Sequence, residues 1–417
     1  MIWSKKAKKE GNNEDNSVIR DEGRIEELLT RGVENIYPSK DFLKKKLLNG
    51  ERVTLYLGID PTGSTLHLGH TIPLKKLKEF QDLGHGVILL IGDFTGMIGD
   101  PTDKSATRKK LTHAEVLTNA KLYKKQASTF LNFEGSNPAE LKYNSEWLGK
   151  LNFGDVLELS SLVTVDQMLK RDMFENRMKE GKPIYIHEFM YPLMQGFDSV
   201  AMNVDGEIGG NDQTFNMLMG RDLLKTLKNK EKFVVTCKLL TDSSGKKMGK
   251  TDGNAVSANQ TAPDMFGKVM SWSDSLIPLG FELCTFVPTE EIKKIKAGLD
   301  AGENPRDAKV RLAKEIVSVY HGSLAAERAV ADFESTFAKG GVPEDAPVAS
   351  VNGSAKLSEI LLENNLVKSK TDFKRLVDEG AISEIGQEPI TSYDEIVIKS
   401  SVWRIGKKRF LKVEVSK

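Results

Sequence analysis

Apolar residues fall in short continuous runs through the first half of the chain, separated by stretches with helical spacing. Arg52–Gly58 (RVTLYLG) and Gly86–Gly92 (GVILLIG) are apolar or nearly so. Runs of that length without strict alternation predict parallel strands covered on both faces. Leu141–Asn144 and Val234–Cys237 predict two more. Between the first two runs, Leu68, Ile72, Leu77, Phe80 and Leu83 recur at helical spacing and predict a helix from about Leu68 to Leu83. Strands alternating with helices predict an α/β fold, a Rossmann-like doubly wound parallel sheet.

Beyond Thr251 the pattern changes. Residues from about Pro263 to Ala338 read as helices, the clearest opening with Asn304 as cap and Pro305 as its first residue and stopping before Gly322. Residues 339–355 (KGGVPEDAPVASVNGSA) read as a linker. In the last block, Ser369 and Asp372 predict the start of a helix over Lys370–Glu379, closed by Gly380. Val402–Ile405 and Phe410–Val415 alternate around Gly406 and predict a hairpin. The expected organisation is a polar, disordered tail over 1–22, an α/β catalytic domain over 23–252, an α-helical domain over 253–338, the linker, and a small α+β RNA-binding module over 356–417.

The chain of 417 residues is long enough for several domains, and 39% hydrophobic with 29% charged residues is ordinary for a globular protein. A net charge of +1 leaves any nucleic-acid contact to local patches. One such patch is Lys399, Arg404, Lys407, Lys408, Arg409, Lys412 and Lys417, opposed only by Glu414. It suits an RNA backbone, although a solvated basic tail has the same composition. Cys237 and Cys284 have neither a CxxC partner nor a histidine cluster, so they give no disulfide framework and no zinc site. The longest apolar run, Val87–Ile91, is too short to span a membrane, and the first twenty residues lack the apolar core of a leader. These features lead to the expectation of a cytoplasmic protein.

The chemistry concentrates in two short motifs. His67-Leu68-Gly69-His70 sits where the first strand turns into a helix, and Lys247-Met248-Gly249-Lys250-Thr251 follows about 180 residues later. A helix start directs backbone N–H groups and a positive dipole at whatever binds there, and Gly63 and Gly69 admit a phosphate close to the backbone. Alone, the first motif also fits an ordinary helix start, and the second a solvated loop. Together they read as two halves of one ATP site for adenylyl transfer. There is no GxGxxG and no GxxxxGK[ST], so the site is neither a standard dinucleotide fold nor a P-loop.

Tyr56–His70 (YLGIDPTGSTLHLGH) resembles the signature of class I aminoacyl-tRNA synthetases, and within them the bacterial tyrosyl-tRNA synthetases. Gly92–Arg108, Tyr191–Asp198 (YPLMQGFD), Gly209–Gln213 (GGNDQ) and Lys247–Thr251 agree with that family in order. The likeness runs from about Ile36 to the end, and the last block resembles the family's αL RNA-binding module. It implies a tyrosine–tRNA ligase: tyrosine and ATP give tyrosyl-adenylate and pyrophosphate, and tyrosine then passes to the 3′ end of its tRNA. It implies a homodimer, and magnesium arriving with ATP rather than in a cage built by the protein.

The resemblance also implies roles. Thr62 and His67 are expected at the γ-phosphate, and His70 and Gly69 near the ribose. Lys247, Lys250 and Thr251 are expected to close over the phosphates, with Lys104 and Arg108 closing from the other side. Asp60, Gly210 and Asp212 complete the nucleotide site. Tyr56 and Asp198 are expected at the substrate phenol, Tyr191, Gln195, Asp100 and Thr95 near its ammonium, and Gln213 by its carboxylate. Arg404, Lys407, Lys408 and Arg409 are expected to contact RNA. Read without the resemblance, Tyr191, Gln195 and Asp198 are also simply one face of a helix.

The rival readings are tryptophan specificity on the same scaffold, a shorter HxGH nucleotidyltransferase, and a non-enzymatic RNA-binding derivative. Tyr56 with Asp198 speaks against the first, chain length against the second, and His67, His70, Lys247 and Lys250 against the third. Asp103 stands beside Lys104 where the family's loop carries glycine, as Asn211 and Gly249 also depart from its pattern. A carboxylate there opposes phosphate, so Asp103→Gly is expected to lower the apparent KM for ATP. Steady-state kinetics with varied ATP check this, and an unchanged or higher value contradicts it.

Overall fold

Six strands build the central sheet: β1 (Val33–Tyr37), β2 (Thr54–Ile59), β3 (Gly86–Ile91), β4 (Glu140–Tyr143), β5 (Gly206–Gly210) and β6 (Phe233–Cys237). Their order is β1-β6-β5-β2-β3-β4, with β1 antiparallel to β6 and the other pairs parallel. The parallel part begins in the middle at β2, moves outward through β3 and β4, then returns to the other side of β2. At that reversal the connections leaving β2 and β5 diverge, and a crevice opens at the carboxyl ends of the strands.

The computed structural model describes residues 18–100, 112–242, 244–248, 255–337, 346–385, 387–406 and 409–416. Asp103, Lys104, Arg108, Gly249, Lys250, Thr251, Lys407 and Lys408 lie outside them, as do most of the expected tail and part of the expected linker. The chain divides into two units, Met1–Tyr320 and His321–Lys417.

β2, β3, β4 and β6 lie where the apolar runs place them, with ends displaced by a residue or two. β1 and β5 were not expected. β5 reads GEIGG, and neither glycine nor glutamate favours a strand. Packing accounts for its glycines: a Cβ at Gly206 would meet the Phe233 ring at 2.2 Å, and one at Gly209 the Met217 sulfur at 2.8 Å. β1 is a five-residue edge strand with a mixed burial pattern, and it carries no long apolar run to announce it.

Two helices beside β5 approach closely. They are Ile186–Met202 and Thr214–Lys228. A Cβ at Gly196 would stand 2.9 Å from Leu223 Cδ1 and 3.2 Å from the Gly220 nitrogen, so glycine at 196 is what allows the crossing. The helices Ala262–Met270, Ile277–Cys284, Thr289–Asp300 and Pro305–His321 follow. Two buried basic side chains fix Ile277–Cys284 to the rest of this unit. Arg31 donates to the carbonyls of Phe281 at 3.2 Å, Glu282 at 3.1 Å and Thr285 at 2.8 Å. Lys75 donates to the Glu282 carbonyl at 3.1 Å. These are the carbonyls a helix leaves without internal partners, where positive charge is favoured.

The second unit contains the helix Ser323–Phe337 and six short strands: β7 (Val348–Asn352), β8 (Ala355–Lys356), β9 (Ile382–Glu384), β10 (Ile396–Val397), β11 (Ser401–Ile405) and β12 (Arg409–Ser416). Four of them form a sheet in the order β7-β12-β11-β9, and β8 pairs with β10. Helices Leu357–Glu363 and Lys370–Asp378 pack on a core that includes Leu357, Leu361, Phe373, Trp403, Ile405 and Leu411. The expected cap forms, with Ser369 Oγ accepting from the Asp372 nitrogen at 3.1 Å. The expected hairpin forms as β11 and β12, turning at Gly406 with φ 67°.

His85 is wholly buried, takes a long contact of 3.4 Å from the Val53 nitrogen on Nδ1, and has no hydrogen-bond partner for Nε2 among the described residues. Burial, helped by the Arg52 charge, lowers its pKa from 6.5 to about 4. The unfolded chain therefore binds a proton between those values and the folded one does not, so stability falls as pH drops from 6.5 towards 4. The loss should reach roughly 3 kcal/mol from this group. Denaturant unfolding at pH 6.5, 5 and 4 should show that much less acid sensitivity in His85→Gln, which does not titrate. Parallel slopes in the two proteins contradict the assignment.

Candidate active site

The crevice at the strand reversal is lined by side chains from every predicted motif. Tyr56 and Asp60 come from β2 and its exit, followed by Thr62, His67, Gly69 and His70. Thr95 and Asp100 follow β3, and Tyr191, Gln195 and Asp198 line one side of the helix Ile186–Met202. Gly210, Asp212 and Gln213 come from the end of β5, and Lys247 from the turn after β6.

The mouth is built from the HLGH motif. His67 is the extended N-cap of the helix Leu68–Asp82, and its Nδ1 accepts from the Gly69 nitrogen at 3.1 Å. His70 Nδ1 accepts from the His67 nitrogen at 3.3 Å, and the two rings stack with centroids 3.8 Å apart. With Nδ1 accepting, a neutral imidazole must carry its proton on Nε2, so each ring offers a donor on its far side. A Cβ at Gly69 would stand 2.9 Å from His67 Cε1, so that ring can fold over the helix start only above a glycine.

The segment that follows the second motif is tied to the first. Leu68 N donates to Val256 O at 3.0 Å, and Ala258 N donates to Leu66 O at 2.9 Å. A hairpin turning at Gly245, with φ 82°, carries Lys247 and Met248 back along Leu240 and Thr241. Lys247 Nζ reaches Asp212 Oδ2 at 2.6 Å.

Deeper in, carboxylates dominate and each is held by named donors. Asp60 accepts from Thr95 Oγ1 at 2.7 Å and from the Tyr191 hydroxyl at 2.8 Å. Asp100 accepts from Arg171 at 3.0 Å and from Gln213 Nε2 at 2.7 Å. Asp198 accepts from Trp147 Nε1 at 2.7 Å, with Asn144 Nδ2 at 3.4 Å. Glu207 accepts from Gln195 Nε2 at 3.0 Å and from Lys232 Nζ at 2.5 Å. Burial pushes the Asp198 carboxyl well above the usual range, against the pull of the Trp147 and Asn144 donors. Burial, reinforced by the charges of Asp60 and Asp100, raises the Tyr191 phenol, which stays protonated and donates. The Tyr56 phenol is raised by burial and by Glu207 and Asp198, and its oxygen lies 3.0 Å from Ser199 Oγ.

The expected pocket residues among the described ones line this crevice, except Gly63, which does not. Arg404 and Arg409 are exposed on β11 and β12 of the second unit. Sequence reasoning missed Asn144, Trp147, Arg171, Ser199, Glu207 and Lys232. Asn144 ended a predicted strand, the place where an α/β sheet holds its ligands, and that was a usable signal. Glu207 was a charge between glycines in an unrecognised strand. No local pattern marks Arg171 or Lys232.

The arrangement is polarised. An acid-rich floor suits a cationic group beside an aromatic or hydroxyl-bearing one. The mouth, with a helix N-terminus, two histidines and Lys247, suits an anion such as a polyphosphate. Among the described residues no three His, Cys, Asp or Glu side chains are grouped to hold a metal ion.

Comparisons with known proteins bear on this geometry. Residues 48–338 match the family described as tRNA synthetases class I (W and Y). The chain is 45% identical over 403 residues to a tyrosine–tRNA ligase of Carboxydothermus hydrogenoformans, covering 93% of this chain and 97% of that one. It is 43% identical over 388 residues to the tyrosine–tRNA ligase of Haemophilus ducreyi, with the same shares covered. Among solved structures, a C-terminally truncated mitochondrial tyrosyl-tRNA synthetase of Coccidioides posadasii superposes with a TM-score of 0.61 at 29% identity. That match covers 74% of this chain and 91% of the other.

Proposed function

The chain belongs to the class I tRNA synthetases of the W and Y group, and from that premise we propose how its pocket carries out the work of a tyrosine–tRNA ligase. The reaction activates tyrosine with ATP to tyrosyl-adenylate, releasing pyrophosphate, and then transfers tyrosine to tRNA. The observation that carries the reading is the pairing of Tyr56 with Asp198 in the buried part of the crevice. They offer a hydroxyl and a carboxyl group to a phenolic oxygen, beside the apolar side chains of Leu90 and Ile208. Trp147 and Asn144 hold Asp198 in place. An indole in the same space could donate its one N–H to Asp198, as Trp147 does, but would give the Tyr56 hydroxyl no oxygen to pair with, at the cost of a buried unpaired polar atom.

The tyrosine ammonium lies among Asp100, Tyr191 and Gln195, and its carboxylate by Gln213. ATP, entering as its magnesium complex, takes the mouth. Thr62 and His67 receive the terminal phosphates, Gly69 and His70 lie by the ribose, and Gly210 and Asp212 hold the adenylate ribose. Lys247 exchanges Asp212 for phosphate oxygens. Lys250, Thr251, Lys104 and Arg108 close over the leaving pyrophosphate. The tyrosine carboxylate attacks the α-phosphorus, the bond to the pyrophosphate oxygen breaks, and no bond to the protein forms. Catalysis is positioning together with charge stabilisation on the leaving group.

The helical segment and the second unit grip tRNA, with Arg404, Lys407, Lys408 and Arg409 on its phosphates. The active form is a homodimer. Phe153, Leu157, Val165, Tyr185 and Ile186 support this, since all five are more than half exposed on neighbouring helices or at their edges. The protein works in the cytoplasm, which accords with two free cysteines, both buried. No described helix is long and apolar enough to cross a membrane.

Amino-acid-dependent ATP–pyrophosphate exchange tests the reading. Tyrosine should support exchange, and phenylalanine and tryptophan should not at equal concentration. Asp198→Asn should lower kcat/KM for tyrosine by roughly 10- to 100-fold, the effect of weakening a buried charge-assisted hydrogen bond. Exchange driven by tryptophan, or by no amino acid, overturns the assignment.

A further inference from the structure

At the floor of the pocket lies an ion pair that the reaction does not use directly. Lys232 and Glu207 are 0% and 2% exposed, and Lys232 Nζ also lies 2.8 Å from Ser199 Oγ. Tyr56 and Glu207 are register partners on β2 and β5, and the Lys232 ammonium lies 5.7 Å from the Tyr56 ring centroid. The site has been given room. A Cβ at Gly220 would stand 2.6 Å from Lys232 Nζ and 2.7 Å from Ser199 Oγ, so the pair occupies the space a side chain would take.

We infer that Lys232 is a positioning residue for amino-acid specificity, acting through Ser199 to fix Tyr56 as a donor to the substrate phenol. This rests on the tyrosine reading above. An ammonium has only protons to give, so Ser199 Oγ must accept from Lys232. Ser199 then has one proton left, and the Tyr56 oxygen stands 3.0 Å away to accept it. A hydroxyl that accepts from a cation becomes a stronger donor, which favours that direction. With its oxygen engaged from behind, Tyr56 keeps its own proton to donate, to Glu207 or to a ligand oxygen, and Asp198 takes the opposite role. Glu207 balances the Lys232 charge, and its other oxygen takes Gln195 Nε2 at 3.0 Å, leaving the Gln195 carbonyl oxygen for the substrate ammonium.

Exchange kinetics with tyrosine and phenylalanine on the full chain decide the matter, with thermal melts confirming that each variant folds. Ser199→Ala removes one oxygen and leaves the ion pair. It should lower kcat/KM for tyrosine about 10-fold, mostly through KM, and change the value for phenylalanine by less than about 2-fold. A second variant, K232M/E207Q, removes both charges together and so leaves neither buried alone. Because Gln195 is also disturbed there, both amino acids should lose efficiency, tyrosine by about 10-fold more than phenylalanine. Equal losses for the two amino acids, or no loss for tyrosine, overturn the inference and leave the ion pair a structural role. An unaltered protein that fails to exchange with tyrosine overturns the functional reading instead.

Discussion

Five carboxylates, Asp60, Asp100, Asp198, Glu207 and Asp212, share one crevice, and the surrounding structure is arranged to make that tolerable. Acid groups drawn from water at such density repel one another and lose hydration unless donors replace it. Each has donors. Thr95 and Tyr191 serve Asp60, Arg171 and Gln213 serve Asp100, and Trp147 with Asn144 serves Asp198. Lys232 with Gln195 serves Glu207, and Lys247 serves Asp212. Removing a donor is most costly at Asp198 and Glu207, the two acids that are buried. The acids and their donors therefore form a scaffold whose parts hold one another in place.

That scaffold exists because of the strand order. Asp60 leaves β2, Thr95 and Asp100 follow β3, Asn144 and Trp147 follow β4, and Asp212 with Gln213 follows β5. Parallel strands put all their carboxyl ends on one edge, and the reversal at β2 and β5 opens a gap there. Glycine lets the walls close in. At Gly92 a Cβ would fall 1.9 Å from Asp60 Oδ1, and at Gly210 it would fall 2.4 Å from Asp212 Oδ1. These glycines make room for carboxylates just as Gly220 makes room for an ammonium.

Legibility in the sequence followed the range of the interactions. The apolar runs of β2 and β3 and the HLGH helix start are local, and they were readable. Ser369 with Asp372, and Gly406 between alternating residues, were readable for the same reason. The resemblance brought in Tyr56, Tyr191, Gln195 and Asp198 as members of one pocket. What stayed hidden was the layer that holds them. Trp147 and Asp198 are 51 residues apart, Tyr56 and Ser199 are 143 apart, and neither pair leaves a periodic trace. β5 was invisible because its residues are chosen for close packing and for one buried charge, which is the reverse of strand propensity. The helix-face reading of Tyr191, Gln195 and Asp198 was also correct as geometry, since all three lie on one helix and line the cavity.

On the function proposed above, the division of charge within the crevice also orders the chemistry. An amino acid bound here brings a cation and an anion on one carbon. The acid floor attracts the ammonium and repels the carboxylate, so the carboxylate faces the mouth. There, on the function proposed above, it meets a helix N-terminus and the two histidine rings, a set of donors suited to a triphosphate. The nucleophile and its target are thus driven to the same boundary by opposite ends of one field, before any group closes over them. Gln213, neutral and held by Asp100, stands at that boundary, where a full charge of either sign would bind one reactant at the expense of the other. Ground-state electrostatics of this kind supplies orientation, the part of the barrier that positioning can remove. The remaining stabilisation has to come from cations that reach the pyrophosphate only as it departs. That proposed role suits Lys247, which sits on a turn with Asp212 as its partner, and not Lys232, which is sealed under the floor.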